Sequence, residues 1–230
     1  MRNFSDQTLI FNPDTWGWPV HLIGAGGINN LVGPLLAKTG ITEIHVWDND
    51  ELEIRNCPTE IAYSYQSVGY PKTAAMAEAI YRLTEPEYSP DFADPGYLPI
   101  GPVHVHQHQR RISALTPGLS GVVICGVDSM ASRKEIWKNI KANFHKIPLY
   151  IDGRSGGEQT MLFTFSPVDF ECADAYENGW LYDDDEVATL PCGARNIGYI
   201  SAYLAADITR IITRFHRGLP IEFYTPKTYV

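Results

Sequence analysis

The run His21-Leu22-Ile23-Gly24-Ala25-Gly26-Gly27-Ile28-Asn29-Asn30, with Trp47-Asp48-Asn49-Asp50 further on, decides the fold. It reads as a buried strand, a glycine turn, a helix and a second strand ending in carboxylates. Glycines at 24, 26 and 27 let the backbone turn sharply and come close to a phosphate. A helix starting there points free N–H groups and the positive end of its dipole at the same place. Asp48 lies 24 residues after Gly24, near the spacing of a carboxylate that grips a ribose hydroxyl. The sixth position of the dinucleotide fingerprint holds Asn29 rather than glycine. A nucleotide is the first ligand the pattern implies; a strand–helix turn with no ligand is the plainer alternative.

Outward from this unit, strand and helix patterns alternate. Val20–Ile23 and Glu43–Trp47 are expected strands, with a helix from Gly27 to about Lys38 closed by Gly40. Residues 49–70 form a connection long enough to suggest function. Pro71 suits the first turn of a helix reaching about Leu83. Val103–Gln107, Val122–Cys125, Leu149–Ile151 and Gln159–Phe165 read as strands. Residues 130–144 and 194–215 read as helices, the second at a 3.6-residue apolar period. Such alternation implies an α/β, Rossmann-like, doubly wound and mainly parallel sheet with flanking helices. Ligands of these sheets bind beyond the carboxyl ends of the strands. Gly24, Asp48 and Asp128 each follow such an end.

Composition narrows the function. The chain has 230 residues, 44% hydrophobic and 20% charged, as expected of one large globular domain. No apolar run approaches the roughly 20 residues of a membrane span, and Met1–Asp6 lacks a signal-peptide core, so a cytoplasmic protein is expected. A net charge of −9 argues against long nucleic acid as the main partner. Cys57, Cys125, Cys172 and Cys192 are scattered, with no CxxC pair to hold structural zinc. His104, His106 and His108 alternate on one face of a strand; with no acid visibly associated, a solvated strand end is expected over a metal site.

Four further pieces fall in order: Arg55-Asn56-Cys57-Pro58-Thr59-Glu60, Gly69-Tyr70-Pro71-Lys72, Cys125-Gly126-Val127-Asp128-Ser129 with Arg133, and Leu190-Pro191-Cys192-Gly193-Ala194-Arg195. With the glycine turn and Asp48-Asn49-Asp50, the order resembles the ThiF/MoeB-type adenylyltransferases, whose superfamily includes the ubiquitin-activating enzymes. The resemblance covers roughly residues 19–215. It implies one adenylation domain over 1–230, with a nucleotide-binding half at about 19–150 and a carrier-binding, late-helix half at about 151–230.

The resemblance also implies a reaction. Attack on the α-phosphate of ATP by the C-terminal carboxylate of a small β-grasp carrier protein, ending in glycine, gives an acyl-adenylate and pyrophosphate. Gly24, Gly26, Gly27, Asp48, Asp50, Asn56 and Lys72 would bind ATP, Asp48 through the ribose and Lys72 through phosphate charge. Asp128 would hold Mg²⁺. A homodimer and a conjugating enzyme are further implied partners. Thr59 stands where the family commonly has arginine, so Arg55 or Arg154 is the expected source of the missing guanidinium. Cys192, before the late helix and near Arg195, is the expected thioester nucleophile, with Cys57 the alternative. Two other readings stay open: a family member acting on a tRNA-linked or small-molecule carboxylate, and a non-catalytic nucleotide-binding scaffold that recruits a carrier protein.

Overall fold

The computed structural model describes residues 4–84, 103–183 and 197–228. A seven-stranded sheet runs β1 (Val20–Ile23), β2 (Glu43–Trp47), β3 (His104–His108), β4 (Val122–Cys125), β5 (Leu149–Gly156), β6 (Gln159–Phe165) and β7 (Tyr224–Thr228). Across the sheet the order is β3-β2-β1-β4-β5-β6-β7. The first five strands are parallel, and β6 and β7 add antiparallel at one edge. The helices are α1 (Asn29–Thr39), α2 (Lys72–Thr84), α3 (Met130–Ala142), α4 (Phe170–Trp180) and α5 (Gly198–His216). The strand order reverses between β1 and β4, and a crevice opens at such a switch point.

Two apolar layers sandwich the sheet. Val20, Leu22, Ile44, Val46, Val122 and Ile124 face one core, which α1, α2 and α5 complete. Ile23, Trp47, Val123, Cys125 and Tyr150 face the other, which α3 closes with Ile136, Trp137 and Ile140. β1 and β4 are buried along their whole length, as parallel strands covered on both faces must be.

The expected elements are present within a few residues of their expected limits. Gly40 caps α1 at φ +107°, the left-handed conformation that ends many helices. β5 runs five residues past Ile151, because it pairs with β6 in a hairpin out to Gly156. Residues 194–196 at the start of the expected late helix lie outside the described residues. Two elements lack a strong sequence signal. α4 is capped by the Asp169 side chain on the Cys172 N–H, but buries only Tyr176. β7 carries Pro226, which an edge strand tolerates.

Candidate nucleotide site

A cavity of about 870 Å³ opens at the carboxyl ends of β1, β2 and β4. Its wall brings together Gly24, Gly26, Gly27, Asp48, Asp50, Asn56, Lys72 and Asp128. All but Asn56, which sits within the long loop after β2, come from a turn that follows a strand or enters a helix, so strand alignment gathers them.

The glycine turn is tight on one side and open on the other. Gly24 has φ +84°, and a Cβ there would lie 2.9 Å from the Gly126 carbonyl oxygen. A Cβ on Gly26 would meet nothing nearer than Glu60 Oε1 at 3.6 Å, so its backbone is free for a ligand to approach. Asn29 explains its own departure from the fingerprint. Its buried side-chain amide donates to the carbonyls of Gly24 at 2.7 Å and Ile23 at 3.2 Å. A Cβ on Gly126 would collide with that amide at 2.8 Å. Asn29 therefore ties the start of α1 to the end of β1 and packs against Gly126 of the β4 turn, where the usual glycine would give only close packing.

Asp48 is held by the turn it was expected to serve. Oδ2 accepts from the Ala25 N–H at 2.6 Å and Oδ1 from the Asp50 N–H at 2.8 Å. Burial pushes its carboxyl above the usual range, against those two N–H groups and Lys72. Asp50 is the more exposed of the two carboxylates. Its backbone oxygen accepts from the Lys72 N–H at 2.9 Å, and an antiparallel bridge joins Glu51 to Pro71. The acidic turn and the Gly-Tyr-Pro-Lys turn are thus one hydrogen-bonded unit.

Lys72 is only 8% exposed. Its Nζ donates to Glu60 Oε1 at 2.7 Å, and Glu60 Oε2 is buried without a hydrogen-bond partner among the described residues. Burial pushes the Glu60 carboxyl up, with Lys72 pulling it down. An ammonium has three hydrogens, so this pair keeps donor capacity facing the cavity. Asn56 turns its side chain inward to its own loop, accepting from the Glu53 N–H at 2.9 Å. Tyr63 donates to the Ala25 carbonyl at 2.5 Å and braces the glycine turn from below.

Asp128 is exposed at the cavity wall. Its turn is positioned by Arg133, which donates to the Val127 carbonyl and is ion-paired with Asp152. Asp152 is fully buried, accepting also from Arg154 and, at 2.8 Å, from the Tyr176 hydroxyl.

The structure places neither of the two expected arginines on the cavity wall. Arg154 does not line the cavity. Its guanidinium is taken by Asp152 and the Trp180 carbonyl, and lies 4.6 Å from the Phe163 ring centre. Arg55 does not line the cavity either; it is exposed and paired with Glu53 at 2.8 Å. Among the described residues, the arginines that line the wall are Arg110 and Arg111, just past β3, and Arg133. Arg110 lies over Trp47 at 5.2 Å, and Arg111 Nε donates to Asn49 Oδ1 at 2.8 Å. The signal for them was the same strand-end rule that located Asp48 and Asp128, applied to β3. Glu60 was equally legible as the last residue of the loop motif.

Cys192 and Arg195 lie outside the described residues. Cys57 is 5% exposed within the α1/α2 core, a poor place for a nucleophile. Burial pushes Cys125 up to about 11, and burial with Asp169 does the same for Cys172.

A model of the ThiF family matches residues 18–226. The chain is 30% identical over 137 residues to the tRNA threonylcarbamoyladenosine dehydratase of Escherichia coli K12, covering 60% of this chain and 46% of that protein. The E. coli MccB structure with ATP superimposes with a TM-score of 0.70 at 16% identity, covering 98% of this chain and 64% of MccB. PaaA gives a TM-score of 0.61 at 16% identity, covering 92% of this chain and 60% of PaaA. These two likenesses establish the fold. The chain spans about half to two thirds of the length of these relatives.

Proposed function

This chain belongs to the ThiF family, and from that premise we propose that it adenylates the C-terminal carboxylate of a small ubiquitin-like or sulfur-carrier protein with ATP and Mg²⁺. One observation carries the reading. A single cavity at the strand ends joins an open glycine backbone, a buried lysine with spare donors and an exposed aspartate. Those groups match a phosphate, its charge and a hard cation. E. coli MccB has been solved with ATP and, in another complex, with AMPCPP and MccA.

In this reading the Gly26 and Gly27 amides face phosphate, and Lys72 turns from Glu60 toward the charge that builds on the α-phosphate. Arg110 and Arg111 take the place of the arginine absent at Thr59. Asp48 receives the ribose through the acceptor sites that the Ala25 and Asp50 N–H groups leave free, with Asp50 beside it. Asp128, set by Arg133, would hold Mg²⁺, which would supply positive charge to offset that of the phosphates. Transfer to the Cys192 thiolate would expel AMP and leave a thioester. Homodimerisation and a conjugating-enzyme partner belong to the same proposal and rest on the family.

A second reading is favoured by the dehydratase relative: the activated carboxylate is carried on tRNA. ATP–pyrophosphate exchange separates the two. Exchange that depends on a β-grasp carrier with a C-terminal glycine supports the first, and exchange that depends only on tRNA supports the second. Cys192→Ala should leave carrier-dependent exchange intact and abolish a DTT-sensitive adduct. No exchange with either, while ATP still binds, would make the chain a nucleotide-binding scaffold.

A further inference from the structure

The parallel register of β2 and β3 sets Glu43 opposite His104 and His45 opposite His106. All four side chains therefore share one sheet face. Glu43 Oε2 lies 3.0 Å from His106 Nε2. The rings of His45 and His106 stack with centres 4.3 Å apart and planes 12° apart. One ligand atom each from Glu43, His45 and His106 falls within a 4.8 Å cluster. The acid that the sequence left unassigned beside these histidines comes from the neighbouring strand, so only the register reveals it.

We propose that Glu43, His45 and His106 form a binding site for a divalent transition metal of the zinc class. Two imidazoles and one carboxylate are a zinc-binding donor set that leaves a fourth position for water. Imidazole donors select zinc, copper or nickel over magnesium and calcium, so the Mg²⁺ of the adenylation proposal does not compete here. Metal–ligand bonds near 2 Å put tetrahedral donors about 3.3 Å apart. Glu43 and His106 already stand near that spacing. The remaining contraction falls on the half-exposed Glu43 and His106 side chains, while His45 is held by its stack on His21. His108 Nε2 sits 3.1 Å from His45 Nδ1, an outer hydrogen bond of the kind that orients metal-binding imidazoles.

The site would act as a clasp. β3 is the edge strand, and Glu43–His106 and His45–His106 are cross-strand contacts. A metal would pin β3 to β2 just before Arg110 and Arg111 enter the cavity wall.

The test is titration of the chelator-treated chain with Zn²⁺ by calorimetry and with Co²⁺ by visible absorption. We expect one ion per chain at this cluster, a Co²⁺ spectrum of nitrogen and oxygen ligands without thiolate charge transfer, and a higher melting midpoint with Zn²⁺. His106→Ala and Glu43→Gln, both at exposed positions, should each weaken Zn²⁺ binding by tenfold or more, while His104→Ala should leave it unchanged. Absence of binding by the wild type would overturn the proposal, as would wild-type affinity in His106→Ala or a thiolate signature.

Discussion

Two buried charge clusters flank the cavity, and they are built to different standards. Under the β4 turn, Asp152 is enclosed by Arg133, Arg154 and the Tyr176 hydroxyl, and every one of these partners also contacts a carbonyl, a ring or a second side chain. Arg154 Nη2 makes no hydrogen bond among the described residues but stands 2.7 Å from Asp152 Oδ2 as an ion pair. Beside the glycine turn, Lys72 has one carboxylate partner, and the other oxygen of that carboxylate has neither a hydrogen bond nor an ion pair among the described residues. A closed network resists change and positions its neighbours. An open pair can trade a partner, which is what a phosphate-binding lysine must do. The comparison assigns Asp152 to architecture and Lys72 to chemistry.

The sharpest break is Asp152→Ala. It leaves two guanidiniums buried against each other without a carboxylate. Removing one partner of a buried ion pair costs about 3–5 kcal/mol. The variant should unfold at much lower denaturant, with or without nucleotide. Stability within 1 kcal/mol of wild type (roughly a surface-mutation effect) would show the network to be dispensable.

Lys72→Ala should damage the reaction far more than the fold, because the buried Glu60 carboxyl, already pushed up by burial, can take up a proton when its partner is gone. Loss of one contact to transition-state charge costs about two to three orders of magnitude in rate. ATP–pyrophosphate exchange should fall by that factor. Exchange at the wild-type rate would end the assigned role.

Between these lies Glu60→Gln, which removes the counter-charge of Lys72 and keeps its shape. Leaving a buried charged donor undersatisfied costs about 1–3 kcal/mol. ATP·Mg²⁺ should recover most of that loss, because phosphate takes over the lysine. No ligand can do so for Asp152. Equal destabilisation of Glu60→Gln with and without ATP would contradict the contrast between the two clusters.

The open pair and its surroundings were largely legible in the sequence, and the closed one was not. Gly24, Asp48, Lys72 and Asp128 follow strand ends or open helices, so order along the chain nearly dictates their meeting. Arg154 shows the limit. Its environment depends on Tyr176, Trp180 and Phe163, which arrive from α4 and β6 and leave no local trace. Arg110 and Arg111 were missed for another reason. β3 is a half-exposed edge strand of alternating histidines, so it lacks the apolar run that marks a strand end as a site. Glu43 beside His106 needed the register, which pattern alone does not supply.

The smallest expected effect is a pH dependence, and it extends the comparison to a third buried group. His21 is 2% exposed, stacked on His45 with centres 4.4 Å apart, and accepts from Trp47 Nε1 at 3.0 Å. Burial, with His45, His108 and His106 adding repulsion, holds its pKa down to about 3. An unfolded chain would protonate it near 6.5. Below that pH the unfolded state binds a proton that the folded state refuses, so stability falls as pH drops from about 6.5 toward 3. Asp48 and Glu60 act oppositely: burial raises both, so the folded chain takes their protons first and loses stability as pH rises through their range. The contrast between wild type and His21→Gln isolates the histidine. In chelator, urea midpoints of the wild type should decline between about pH 7.5 and pH 5.5 (one unit either side of an ordinary histidine pKa), and His21→Gln should decline less. Parallel declines in the two proteins would mean that the folded chain accepts a proton at His21, and that this cluster, like Lys72 with Glu60, has room to change partners.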